Sequence, residues 1–198
     1  MASAGTLPHS ELARRWSDDD TATGGTKGVA EATANHVMGR TSIVVDIADL
    51  AVSKDPDAVL ITYSLGSCIG VTIWDPVAKV AGLLHYMLPD STISREKAQK
   101  NPAMFCDTGV PKLFKAAYEL GATKQRIIVK VAGGSQLLDE GGTFNIGKRN
   151  YLALRKIFWK NGVMIKSENV GGSVSRTLKI RVADGAVTLK TRAGEEPL

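Results

Sequence analysis

Short runs of β-branched and aliphatic residues, separated by turn residues, dominate the chain after residue 41. Residues 42–47 and 58–63 have this composition and predict strands. Residues 69–74 end at the turn signal Asp75-Pro76, and residues 79–86 form the next apolar run. The last two runs therefore predict an antiparallel pair of strands.

The same pattern continues in the second half of the chain. Residues 126–131, 163–167 and 177–182 are further β-branched runs and predict strands. Asp184-Gly185 is a strong hairpin signal, and it leads into a last predicted strand at residues 186–191. We therefore expect hairpins to dominate the sheet structure.

Two segments instead repeat apolar residues at helical spacing. We expect the first helix to be capped by Asp107 or Thr108 and to end at Gly121. The second is expected to begin at Asn145 as its cap and to close at Asn161-Gly162. Many strands and two helices predict an α+β domain with a mixed or antiparallel sheet.

The composition changes near residue 41 and predicts two regions. Residues 1–41 are rich in small and polar residues, so we expect a flexible N-terminal tail there and the folded domain at residues 42–198. The longest apolar runs fall far short of the roughly 20 residues that a membrane helix needs. The N-terminus also lacks a secretory signal. We expect a cytoplasmic protein without membrane insertion.

Charge and cysteine count exclude several classes of function. The net charge is +5, and no basic stripe with interleaved aromatic residues accompanies it, so we predict no nucleic-acid partner. Two cysteines are too few for a disulfide framework in a chain of this length. The three histidines are scattered and no CxxC occurs, so we predict neither a metal nor another cofactor.

One thiol and one imidazole stand out as candidate chemistry. Cys68 follows Gly66 and Ser67 in a glycine-bearing turn, whose backbone amides could face a bound carbonyl oxygen. His85 lies on the second strand of the predicted antiparallel pair, where it can meet Cys68 and act as its base. Thr62 ends the preceding strand and can reach the site to orient the imidazole.

The same residues also have ordinary structural explanations. A cysteine next to Ile69 and Gly70 can be a small buried apolar residue, and His85 can be a core histidine with satisfied hydrogen bonds. Thr62 needs no function in a strand. Cys106 is expected to pack at a helix entrance. The residue types alone leave catalysis and packing both open.

The order of several motifs resembles the CheD family of chemoreceptor glutamine deamidases. The motifs are LGSCIGVTIWDP at residues 65–76, GLLHYMLPD at residues 82–90, Gly133-Gly134 after a strand, and FNIGKRN at residues 144–150. The resemblance spans about residues 42–191. It implies a three-layer fold with mixed or antiparallel β-sheets flanked by helices, similar to the catalytic domains of certain deamidating bacterial toxins.

The resemblance also implies a reaction and its partners. Cys68, His85 and Thr62 match the family's catalytic residues. From the residues themselves, we expect the turn backbone at Gly66 and Ser67 to lie at the oxyanion. The implied activity is hydrolytic deamidation of glutamine side chains to glutamate. From the residues themselves, we expect this reaction to proceed through a Cys68 thiolate and a thioester, with release of ammonia. The implied substrate is the cytoplasmic domain of a methyl-accepting chemotaxis receptor, and CheC phosphatase is an implied partner.

Two alternatives differ in class or in substrate. One is an interaction module that binds a CheC-type phosphatase or the receptor with little catalysis. The other is a cysteine amidohydrolase that acts on a different protein glutamine. The segment from Gly171 to Arg176 lacks the usual Gly-Arg pair of the family. We expect Gly133-Gly134 to serve close backbone packing, and Arg149 and Asn150 to tie loops together.

Overall fold

The computed structural model describes residues 34–37, 40–136 and 145–198. These residues form eleven strands in two sheets. The strands are β1 (Ala34–Val37), β2 (Arg40–Val44), β3 (Asp49–Ser53), β4 (Ala58–Leu65), β5 (Ile69–Asp75), β6 (Val80–Tyr86), β7 (Ile128–Gly133), β8 (Ile165–Val170), β9 (Arg176–Arg181), β10 (Val187–Thr191) and β11 (Gly194–Pro197).

Three α-helices and two short 3₁₀ helices complete the described secondary structure. The α-helices are α1 (Arg95–Lys100), α2 (Cys106–Glu119) and α3 (Ile146–Lys160), and the 3₁₀ helices are Ser91–Ile93 and Pro102–Met104. Helix α2 buries an apolar face that includes Val110, Leu113 and Phe114. Phe114 meets Phe158 of α3 edge to face, with the ring centroids 6.2 Å apart.

Both sheets are mixed. The six-stranded sheet has the order β1-β2-β4-β9-β10-β11, and within it only the β2–β4 pair is parallel. The five-stranded sheet has the order β3-β6-β5-β7-β8, with one parallel pair, β7–β8. The prediction of an α+β fold with mixed sheets is confirmed.

The sheets and helices stack in three layers, and β6 shows how the chain builds them. Successive side chains of a strand point to opposite faces. Leu84 and Tyr86 face the helices and join the core that α2 and α3 cover. Ala81 and Leu83 face the other way, into a second core that the six-stranded sheet closes. All residues of β6 are buried because the strand is covered on both sides.

The turn between β5 and β6 is anchored by the buried carboxylate of Asp75. Its oxygens accept the backbone N–H groups of Val77 at 2.9 Å, Ala78 at 3.1 Å and Thr123 at 2.8 Å. The Arg126 guanidinium adds an ion pair at 2.8 Å. Burial alone would raise the pKa of Asp75, but Arg126 and the three N–H groups outweigh it and lower this pKa to about 2.

Most elements predicted from the sequence are present. The β5–β6 pair is antiparallel as expected, and the β9–β10 hairpin follows the Asp184-Gly185 signal. Helix α2 ends where predicted, because Gly121 has φ +96°, a conformation that glycine adopts without steric cost. Strands β1, β3 and β11 and the short helix α1 were not predicted.

The predicted caps of α2 were wrong. The helix begins at Cys106 after Phe105, and no side chain caps its first turn. Asp107 instead accepts hydrogen bonds from the backbone N–H of Ser91 at 2.9 Å and from the Ser91 hydroxyl at 2.6 Å. The carboxylate therefore fastens the preceding loop to the helix. Asn145 does precede α3 as predicted, but in a left-handed conformation and without a side-chain capping bond.

The predicted division of the chain at residue 41 falls within a pair of strands. β1 pairs antiparallel with β2, and Thr41 lies opposite His36. Residues 1–33 of the predicted tail lie outside the described residues, so the flexible tail stays a prediction. Among the described helices, none is long and apolar enough to cross a membrane.

Candidate active site

Cys68 lies at the end of a turn between β4 and β5, residues 66–68, here called the Cys68 turn. Its carbonyl oxygens are held by the loop after β7. The Gly134 N–H donates to the Cys68 carbonyl at 2.8 Å, and the Ser135 N–H donates to the Gly66 carbonyl at 2.8 Å. Among the described residues, the N–H groups of Ser67 and Cys68 donate to no backbone carbonyl. The Cys68 N–H interacts with the thiol of its own residue.

Two glycines permit close backbone contacts of the loop after β7, one with the Cys68 turn and one with α3. A Cβ on Gly133, whose φ is +115°, would lie 2.2 Å from the Cys68 carbonyl oxygen. A Cβ on Gly147, in the first turn of α3, would lie 2.4 Å from the Gly134 carbonyl oxygen. Any side chain at either position would push the layers apart. The expectation that Gly133-Gly134 serves close backbone packing is confirmed.

Asn150 of α3 holds the Cys68 turn from the other side. Its buried side-chain Nδ2 donates to the Ser67 carbonyl at 3.0 Å and to the Met87 carbonyl at 2.7 Å. Its own backbone carbonyl accepts the Tyr86 hydroxyl at 2.9 Å. Asn150 therefore ties the turn to the segment that follows His85, as the sequence predicted for this residue.

His85 is fully buried, and one of its two ring nitrogens is fixed. The Thr62 hydroxyl oxygen lies 2.7 Å from Nδ1, and Thr62 is itself fully buried. Nε2 has no hydrogen-bond partner among the described residues. A buried polar atom without a partner is costly, so it needs an explanation beyond packing.

The strand register places Cys68 and His85 on one face. His85 lies opposite Gly70 in the β5–β6 pair, and Cys68 precedes Gly70 by two residues. Residues two apart on a strand share a face, and such diagonal neighbours lie roughly 7–8 Å apart between backbones. Cys68 is half-buried against the core between the two sheets. The structure therefore places Thr62 in contact with His85, and the register places Cys68 on the same face as His85.

Burial sets the protonation states of this pair. It lowers the pKa of His85 to about 4, although the charge of Asp46 acts in the opposite direction. Burial also raises the pKa of the Cys68 thiol, while the residue's own N–H opposes the rise. At neutral pH the pair is therefore a neutral imidazole and a neutral thiol. Such an imidazole can accept the thiol proton during a reaction.

Cys106, the second free cysteine, has a different environment. It is fully buried in the core beneath the helices, at the first residue of α2. Burial raises the pKa of its thiol to about 12. A thiol so buried and so weakly acidic is unreactive. The expectation that Cys106 packs at a helix entrance is confirmed.

Sequence reasoning missed two polar residues beside the site, Ser135 and Arg176. Both are buried, and the Arg176 guanidinium donates to the Ser135 hydroxyl. Ser135 directly follows Gly133-Gly134, and Arg176 comes four residues after Gly171-Gly172, so these two glycine pairs were the available signal. A groove of about 760 Å³ lies at the other end of β7, but its lining contains no Cys, His, Asp or Glu. Among the described residues, no cluster of three such side chains could hold a metal ion.

A half-buried thiol and a buried imidazole lie on one face of this three-layer α+β fold. The protein therefore belongs to the α+β proteins with a candidate thiol–imidazole site. The family described as CheD chemotactic sensory transduction matches residues 87–191. A probable chemoreceptor glutamine deamidase CheD 1 of Syntrophus aciditrophicus (strain SB) is 50% identical over 152 residues, which cover 77% of this chain and 95% of the relative. The chain belongs to the CheD family.

Other relatives carry the same family name. A probable chemoreceptor glutamine deamidase CheD of Solibacter usitatus (strain Ellin6076) is 48% identical over 156 residues, with 79% of this chain and 92% of the relative covered. A solved Neisseria meningitidis protein of the family DUF152 aligns with a TM-score of 0.38 and 8% identity, over 66% of this chain and 62% of its own. That likeness is too low to carry an argument about function.

Proposed function

We propose that this protein is a protein-glutamine deamidase that hydrolyses glutamine side chains of methyl-accepting chemotaxis receptors to glutamate. Membership of a family whose relatives are named chemoreceptor glutamine deamidases supports the substrate. The observation that carries the chemistry is the unpartnered Nε2 of buried His85, on the face that Cys68 shares. The receptor's cytoplasmic domain is the proposed partner, and the cytoplasm the proposed location.

The first step forms a bond between sulfur and the glutamine carboxamide carbon. Nε2 of His85 accepts the proton of the Cys68 thiol, and the resulting thiolate attacks the carbon. The carboxamide oxygen becomes an oxyanion, which the backbone N–H groups of Ser67 and Cys68 stabilise. Because the thiol is neutral in the resting enzyme, the proton transfer accompanies attack rather than preceding it.

The second step breaks the carbon–nitrogen bond. The His85 imidazolium gives its proton to the departing nitrogen, ammonia leaves, and a thioester joins Cys68 to the substrate. Water then loses a proton to His85 and attacks the thioester carbon, and the sulfur departs as thiolate and recovers its proton. The products are a glutamate side chain and the starting enzyme.

Thr62 is able to hold His85 in the tautomer that this scheme requires. If Nδ1 carries the ring proton and donates it to the Thr62 hydroxyl oxygen at 2.7 Å, Nε2 is left as the acceptor. A hydroxyl gives an imidazolium weaker electrostatic support than a carboxylate would. The fixed orientation of the ring is therefore the main contribution of Thr62.

The test is deamidation of a purified receptor cytoplasmic fragment, followed by mass spectrometry. We expect wild-type protein to add about 1 Da for each glutamine converted, since –NH₂ is replaced by –OH, and tandem spectra to place the change on glutamine. A mixture of unrelated proteins is the substrate control. Stable binding without any mass shift would favour an interaction module, and a shift only in the unrelated proteins would favour a different substrate.

A further inference from the structure

Arg176, the first residue of β9, is a buried arginine that contacts three separate segments. Only 5% of its surface is exposed. Nε donates to the Asn169 side-chain oxygen at 2.8 Å, Nη1 to the Val174 carbonyl at 3.0 Å, and Nη2 to the Gly171 carbonyl at 2.9 Å. Nη1 also donates to the Ser135 hydroxyl. The guanidinium therefore joins β8, the loop after β8 and the loop after β7.

All four acceptors are neutral. Among the described residues, no carboxylate forms an ion pair with Arg176, whereas Arg126 and Arg181 each pair with an aspartate. Burial lowers the pKa of Arg176. The contacts of Arg176 therefore serve to hold loops in place rather than to neutralise an acidic side chain.

A short series of hydrogen bonds connects Arg176 to the Cys68 turn. The Ser135 hydroxyl, which contacts the guanidinium, lies 2.6 Å from the Val174 carbonyl that Arg176 also holds. The backbone N–H of Ser135 donates to the Gly66 carbonyl at 2.8 Å. One residue earlier, Gly134 donates to Cys68. Arg176 therefore holds Ser135 in place, and Ser135 in turn holds the Cys68 turn.

The sheet itself does not hold this part of β4 regularly. The pairing of β4 with β9 shifts register between Thr62, which lies opposite Leu178, and Leu65, which lies opposite Arg176. Ser64 within this irregularity has a positive φ of 56°. The turn leaves the sheet at the point where Arg176 enters it. Contacts outside the regular ladder must therefore set the path of the turn.

We propose that Arg176 is a positioning residue for the Cys68 turn, which places the thiol and the Ser67 and Cys68 N–H groups for the deamidation proposed above. The planar guanidinium meets acceptors in several directions at fixed angles. A lysine ammonium carries the same charge but cannot reproduce that arrangement. The catalytic part of this proposal rests on the proposed function, whereas its structural part does not.

The test compares Arg176→Lys and Arg176→Ala with Arg126→Ala, which removes the arginine that pairs with Asp75 at the turn between β5 and β6. We expect both Arg176 variants to lower kcat by roughly 10–100-fold with KM nearly unchanged, because a small misplacement of reacting groups is costly. Guanidinium ion at millimolar concentration should partly restore the kcat of Arg176→Ala. It should not restore the stability of this variant to the wild-type level. Arg126→Ala should lose stability and keep its kcat.

Amide hydrogen exchange measured by NMR provides the readout that does not depend on activity. We expect faster exchange at Gly134 and Ser135 in Arg176→Lys, with Val77 and Ala78 unchanged. In Arg126→Ala we expect faster exchange at Val77 and Ala78, with Gly134 and Ser135 unchanged. Arg176→Lys also serves if the alanine variant does not fold. Folded Arg176 variants with wild-type exchange at Gly134 and Ser135 would overturn the proposal. Altered exchange with no deamidation even by wild type would instead contradict the proposed function alone.

Discussion

The two ends of the β5–β6 pair bury polar groups in opposite ways. At the closed end, Asp75 receives three backbone N–H groups and the Arg126 guanidinium. At the open end, His85 has one nitrogen on Thr62 and the other without a partner among the described residues. Both side chains are fully buried, so their difference lies in how completely their hydrogen bonds are satisfied.

This difference distinguishes a structural group from the group that we propose to be reactive. The contacts of Asp75 favour its charged form, and its pKa falls to about 2. Burial of His85 favours its neutral form, and its pKa falls to about 4. A satisfied carboxylate stabilises the fold, whereas an unsatisfied imidazole costs stability and leaves a proton acceptor on the face that Cys68 shares. Variants at the two ends should therefore affect different measurements.

The largest effect is expected at the open end, from Cys68→Ala. Deamidation of a receptor fragment should fall by at least about a thousandfold, because no other group can form the thioester. The free energy of unfolding should change little, since Cys68 is only half-buried. Cys106→Ala is the matched control, and it should keep the wild-type rate. An equal loss of rate in the two variants would contradict the proposal that Cys68, and not Cys106, is the reacting thiol.

The next effect is a pH dependence of stability that comes from His85. Its ordinary pKa of about 6.5 in the unfolded chain falls to about 4 on folding, so the unfolded state binds more protons below pH 6.5. The part of the free energy of unfolding that depends on His85 is fully present above pH 6.5. It is lost as the pH falls through 4, by about 3 kcal/mol in total. Urea unfolding at pH 7 and pH 4.5 measures it.

His85→Gln is the control for that measurement, because glutamine does not titrate. Acidic groups elsewhere affect both proteins alike, so the wild type should lose more stability between the two pH values than the variant does. Identical losses would show that His85 is not buried as a neutral group.

A smaller effect is expected at the closed end, from Asp75→Asn. The amide keeps the shape of the side chain but loses the charge that Arg126 and the backbone N–H groups stabilise. The free energy of unfolding should fall by about 2 kcal/mol, as for other hydrogen bonds to charged groups. Denaturant unfolding measures the loss, and the deamidation rate per folded molecule should not change. A lower rate would mean that the two ends are coupled.

The smallest effect is expected from Thr62→Val, which removes one hydroxyl and keeps the shape. Loss of the Nδ1 partner should lower kcat by roughly tenfold, the low end of the range for residues that orient another group. Thr62→Ser keeps the hydroxyl and should retain most of the rate. Equal rates in the valine and serine variants would assign Thr62 a packing role only.

The sequence predicted the local part of the site well. Cys68 and His85 lie on one hairpin, so alternation and turn signals were enough to place them on one face. The apolar runs and helix periodicity likewise predicted most strands and both long helices. Strand β8 was only partly anticipated, because its sequence Ile-Lys-Ser-Glu-Asn-Val lies at an edge and carries no strong apolar pattern.

The non-local part of the site was not predictable from one sequence. Ser135 and Arg176 lie 41 residues apart and meet only because the end of β7 and the start of β9 lie close together. The parallel pairing of β2 with β4 also depends on the whole fold, since no local turn specifies it. Asp107 was misread because an aspartate near a helix start is equally suited to bind a preceding loop.

The most direct test of the thiol mechanism is a titration of activity against alkylation. Iodoacetamide is added in steps, peptide mass spectrometry gives the modified fraction of Cys68 and of Cys106, and the deamidation rate is measured at each step. We predict that Cys68 reacts first at neutral pH and that the rate falls to zero in proportion to its modification. Deamidation that persists after complete alkylation of Cys68, or modification of Cys106 first, would contradict the account.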